Sequence, residues 1–189
     1  MDLSFVEPKT VFLILHLVGL ALGVGGALIS DAMFFKAIKD KRIIKTEMEF
    51  LRLGSWSVGL GLMLLVFSGL GMFMLDHERY LASSKFLAKM SVVAILIVNG
   101  VVLHQLQIPY LMKITEKHSS TLAAFSKTRT WFIVGGVVSI VSWLSALTLG
   151  AFRSIPWSYG NIMMVYLAVL ALGLVVAYVL RDVLFPPQK

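Results

Sequence analysis

Five apolar runs dominate this chain, and they fix its fold class. They cover roughly Thr10 to Phe35, Leu51 to Leu75, Lys85 to Leu111, Trp131 to Ala151 and Trp157 to Leu180. A helix needs about 20 apolar residues to cross the hydrocarbon core of a bilayer. In lipid every backbone amide needs a partner within its own segment, so long runs without alternation are helices. The expectation is an all-α integral membrane bundle of five transmembrane helices, one domain over residues 1–189. Composition agrees, with 58% hydrophobic and 14% charged residues; a soluble domain is about half apolar and about a quarter charged.

The net charge of +7 points to a lipid surface rather than to nucleic acid, because the basic residues collect in short loops. Lys36, Lys39, Lys41, Arg42, Lys45 and Arg52 surround the first loop. Lys113, Lys117, Lys127 and Arg129 occupy the third, and Arg181 and Lys189 the tail. The other side has only Lys9, Arg79, Lys85 and Arg153. The positive-inside rule then predicts an outward N-terminus and a cytoplasmic C-terminus. The start, MDLSFVEPKT, lacks the basic flank of a cleaved signal, and the run after it is too long for one. The segment KDKRIIKTEMEFLRLG is expected to be helical and to extend or join the first two spans. With no cysteine, disulfides, thiolate metal sites and cysteine nucleophiles are excluded. No nucleophile–base spacing suggests a hydrolase, and no repeated pair of interrupted helices suggests a secondary carrier.

Helical periodicity sorts the small residues into stripes. His16, Gly19, Gly23, Ala27 and Ser30 share one face of the first span, broadened by Gly25 and Gly26. The second span has Gly54, Ser57, Gly61, Ser68 and Met72; the fourth has Gly135, Ser139, Ser142 and Ala146. Such stripes let helices approach closely in lipid. Beside His16, the wall of Gly19, Gly23 and Gly26 would also leave room for a planar macrocycle. An imidazole inside a membrane span faces the bundle interior, either hydrogen-bonded to a neighbour or serving a metal centre.

The third span adds Lys89, Asn99 and His104. At the rise of an α-helix, His16 and His104 lie roughly 18 Å apart in depth. Two axial ligands of one iron lie about 4 Å apart, given metal–nitrogen bonds near 2 Å. One haem bridged by this pair is therefore not expected. His16 needs a different partner, or there are two sites. Asp31 ends the first span at nearly the depth of His104, where it would pair with that ring, Lys36 or Arg52. Met72, Met74, Met163 and Met164 fall towards the outer ends of their spans. Soft methionine–histidine sets suit copper(I), and a His/Met pair also ligates haem.

His16 followed by Val24, Gly25 and Gly26, with Lys89, Met90 and Val93 opening the third span, resembles the CopD-like membrane proteins. That group includes copper-resistance CopD and, more distantly, the HemJ-type haem proteins. The resemblance covers spans one to three. It implies a bacterial or archaeal cytoplasmic membrane, haem b on His16, and Lys89 as a propionate partner or second ligand. The chain departs from the family pattern at Gly23, usually Trp, and over ISDAMF from Ile29 to Phe34. The leading expectation is haem b binding for electron transfer or haem-linked oxidation, with a redox protein or quinone as partner and homo-oligomerisation open. The alternatives are copper binding through the outer methionines and His16, or a cofactor-free scaffold or regulatory protein.

Overall fold

The computed structural model describes residues 7–39, 45–110, 113 and 121–184. All regular structure among them is helical: α1 (Pro8–Lys39), α2 (Lys45–Leu75), the short α3 (His77–Leu81), α4 (Ser84–Val102), α5 (Thr121–Ala151) and α6 (Tyr159–Leu184). A π-helical turn, Leu103–Gln107, continues α4, and helix resumes to Tyr110. Five helices are long and apolar enough to span a membrane: Pro8–Phe34, Thr46–Leu75, Ser84–Tyr110, Thr130–Ala151 and Tyr159–Leu180. These bounds lie close to those read from hydropathy. The charged connector is helical at both ends, since α1 runs to Lys39 and α2 starts at Lys45. Its residues 40–44 lie outside the described residues, as do Lys117 and Lys189.

α1 and α2 form an antiparallel hairpin, the most extensive helix pair among the described residues. Their small-residue stripes face one another. A Cβ built at Gly61 would lie 2.5 Å from the backbone nitrogen of Gly23 and 2.7 Å from the carbonyl oxygen of Gly19. Gly54 meets the Ser30 side chain, and its Cβ position lies 3.2 Å from the Gly26 carbonyl oxygen. Contact this close between backbones is how helices associate where lipid supplies no hydrophobic drive. Ser57 strengthens the seam by donating to the Leu22 carbonyl at 3.0 Å.

α4, α5 and α6 make the second group. Ala88 and Val92 of α4, Ala146 and Leu149 of α5, and Ile162 and Tyr166 of α6 share one buried cluster. Within this group the buried Ser142 hydroxyl bonds to the Tyr166 phenol at 3.0 Å. At one end of the bundle, Lys85 donates to the Phe152 carbonyl at 2.6 Å, tying the start of α4 to the α5–α6 loop. Phe86 stacks on Phe73 at 5.8 Å beside Tyr80. Aromatic rings of this kind sit well at a membrane–water interface.

The two groups meet at Trp143. Its buried indole, from α5, lies directly on Gly23 and clusters with Ala27 and Leu96. Nearer the charged connector, Met48 and Leu51 of α2 pack with Phe132 of α5. Between these two contacts α2 and α4 stand apart.

A lateral cavity with a polar end

The gap between α2 and α4 is a cavity of about 1150 Å³, open on one side and floored by α5. Its walls are chiefly apolar. Leu62, Met63 and Phe67 come from α2, Ile97 and Val101 from α4, and Phe132 and Val137 from α5. Met63, Phe67 and Val101 are exposed, so in a bilayer the open side faces acyl chains. One end is polar: Asp31 of α1, Ser55 and Ser57 of α2, and His104 and Gln107 of the π turn all line it.

The π turn builds that end. An extra residue in one turn shifts the register of the side chains after it, and such turns recur at functional sites. Here Leu103, His104, Gln107 and Ile108 all reach the same cavity. His104 Nδ1 bonds to the Ser55 hydroxyl at 2.6 Å, and the ring sits edge-on to Trp56. Gln107, 1% exposed, donates from Nε2 to the Trp131 carbonyl at 3.1 Å. Its Oε1 has no hydrogen-bond partner, and neither has the buried Oδ2 of Asp31. Of the partners open to Asp31, the His104 ring is taken by Ser55, although Asp31 and His104 line one cavity. Asn99, also in the third span, donates to the Gly135 carbonyl at 3.1 Å and so ties α4 to α5.

His16 lies elsewhere. Its Nδ1 is 2.9 Å from the Ser68 hydroxyl, which in turn lies 2.5 Å from the Leu64 carbonyl. A carbonyl only accepts, so the single hydroxyl proton of Ser68 goes to Leu64 and Nδ1–H of His16 donates to the serine oxygen. In the neutral ring this leaves the lone pair on Nε2. Ser68 is 0% exposed, so the pair is sheltered. Ser55 and Ser68, the partners of the two rings, are thirteen residues apart on α2, about 20 Å along the axis. The depth separation expected of His16 and His104 is thus present, and the two do not share a centre.

Gly19, Gly23 and Gly26 do not border an open space. Helix α2 stands against Gly19 and Gly26, with Gly61 and Gly54 oxygens 2.9 and 3.0 Å from the built Cβ positions, and Trp143 covers Gly23. The porphyrin-sized room expected beside them is taken by close helix packing. Lys89 lies within electrostatic reach of His16, and its Nζ would be 3.5 Å from a Cβ at Gly150 of α5. Neither His16 nor Lys89 lines the large cavity.

The four outer methionines face different surroundings. Met74 is 77% exposed and Met164 68% exposed, whereas Met163 packs on the α4–α5–α6 cluster. Met72 lies near Pro8 and Tyr80. Among the described residues no three His, Asp or Glu side chains converge. The cavity with its polar end escaped sequence reasoning because a π turn, not the regular helix expected over Lys85 to Leu111, brings His104 and Gln107 to one wall.

Fold and cavity together define a helical, membrane-spanning protein with a lateral cavity between α2 and α4. Comparison with protein-family models, curated proteins and solved structures gives no match for this chain.

Proposed function

We propose that this protein takes an amphipathic lipophile from the bilayer into the α2–α4 cavity and holds its polar end at His104, Asp31 and Gln107. One observation carries the reading: a largely apolar space of about 1150 Å³, open to the acyl chains, that ends in the polar side chains of Asp31, Ser55, His104 and Gln107. An apolar space with a few convergent polar groups is the usual form of a small-molecule site. With the N-terminus outside, as the basic loops imply, that polar end lies in the cytoplasmic half.

The test is co-purification. The full chain, purified in mild detergent, should retain about one equivalent of a lipophile. Gly100→Phe should lower it, because the Gly100 Cβ position borders the cavity with only Leu62 Cδ1, at 3.5 Å, near it. Retention unchanged by Gly100→Phe refutes the reading. So does a stable dimer whose interface buries the open faces of α2 and α4.

A second reading keeps haem b as the lipophile. It is favoured by an imidazole in the cavity wall whose Nδ1 is engaged by Ser55. Nε2 of His104, not of His16, would then be the iron ligand. A Soret band lost in His104→Ala and kept in His16→Ala supports it, and a colourless preparation rules it out. No comparable observation favours copper.

A further inference from the structure

We infer that the occupant of this cavity is a lipophilic cation, an amine or quaternary ammonium with an apolar body, and that Asp31 is its counter-ion. This rests on the cavity reading above and narrows it. Among the described residues of the wall Asp31 is the only acid, and no lysine or arginine joins it. It forms no ion pair or hydrogen bond with any described residue. Lys36 and Arg52, open to it from the sequence, do not pair with it, and the His104 ring is taken by Ser55. An ionisable side chain within a span is costly and calls for a partner. The described residues supply none, so the counter-charge comes with the occupant.

One carboxyl oxygen is within reach of that occupant. The residue is half-buried. Its Oδ2 is sealed in the bundle. Oδ1 stands 3.9 Å from the Cβ position of Gly136, a glycine of the cavity floor, and no other neighbouring group comes within 4 Å of that position. The bare glycine thus leaves open space beside Oδ1. Aromatic rings surround the same end. Ser30 packs on Gly54, which sets Asp31 at the level of Trp56, an exposed indole in the wall. Phe34, three residues beyond Asp31 on α1, stacks on Phe132 at 5.5 Å, and both line the cavity. Aromatic faces attract ammonium groups. A phosphate or carboxylate head would meet like charge at Asp31, and a neutral head would leave the carboxylate uncompensated. The apolar remainder of the wall suits the body of the ligand, and the open side admits one already dissolved in the membrane.

Native mass spectrometry of the full chain in mild detergent tests this with tetraphenylphosphonium and with tetraphenylborate, an anion of the same shape. Asp31→Asn should weaken tetraphenylphosphonium binding about 30-fold or more, the effect of removing one partner of a buried charge pair. It should not weaken tetraphenylborate. A second measurement uses the parent chain and needs no variant to fold. Dicyclohexylcarbodiimide, which modifies carboxyls from within the membrane, should label Asp31; tetraphenylphosphonium should block that labelling and tetraphenylborate should not. Equal binding of tetraphenylphosphonium by the parent and Asp31→Asn chains, or an Asp31 that the carbodiimide leaves unlabelled, overturns the inference and leaves the cavity reading standing. No retention of either probe or of any lipid, with Gly100→Phe matching the parent chain, overturns the cavity reading itself.

Discussion

Replacing Gly61 with alanine adds one methyl group where the backbones of α1 and α2 come closest. The new Cβ would lie 2.5 Å from Gly23 N and 2.7 Å from Gly19 O, both backbone atoms. Ordinary contact begins at 3.4 Å, so α1 must retreat by roughly 0.9 Å or the helices must rotate; overpacking of this kind costs about 1–3 kcal/mol. A control lies two residues away on the same helix. Gly59 has nothing within 4 Å of its Cβ position. Gly59→Ala should be neutral or stabilising by up to about 1 kcal/mol through helix propensity. The assay is reversible unfolding in mixed micelles, titrated with a denaturing detergent and followed by circular dichroism. Gly61→Ala should be less stable than Gly59→Ala by about 1–4 kcal/mol, the sum of those two effects. Equal stabilities would refute the close backbone packing of α1 on α2.

Three further outcomes are expected. Trp143→Ala, which empties the space over Gly23, should cost about 3–5 kcal/mol in the same titration. Ser68→Ala removes the acceptor of His16 Nδ1–H and should cost about 1–3 kcal/mol, most of it recovered in the Ser68→Ala/His16→Leu double variant, where no donor is left unpaired. The chain has no cysteine, so orientation can be read directly: a membrane-impermeant maleimide on intact cells should label Arg153→Cys and spare Lys36→Cys until the cells are lysed. The opposite pattern would reverse the positive-inside assignment.

The spans were legible because hydropathy is a property of a segment alone. The stripe of Gly19, Gly23 and Ala27 was legible as a face, and so was its counterpart through Gly54 and Gly61. What each face meets was not, since periodicity gives a direction and no partner. The same glycines fit a flat cofactor or a second helix, and the contact of Gly61 with Gly19 and Gly23 decides for the helix at that place. Depth was legible too. The rise per residue separated His16 from His104, and Ser68 and Ser55 hold the two rings at well-separated levels of α2. The cavity was hidden for two reasons. It arises where α2 and α4 fail to pack, and one side of its polar end depends on a π turn that regular helical geometry does not anticipate. The outer methionines show the converse. Similar depth on different helices leaves Met74 and Met164 exposed and Met163 in the core, because depth says nothing about azimuth.

Trp143 also acts as a bridge. An indole standing on a bare glycine joins the α1–α2 hairpin to α5. The seam beside the slot is thus closed by a side chain that does not itself line it.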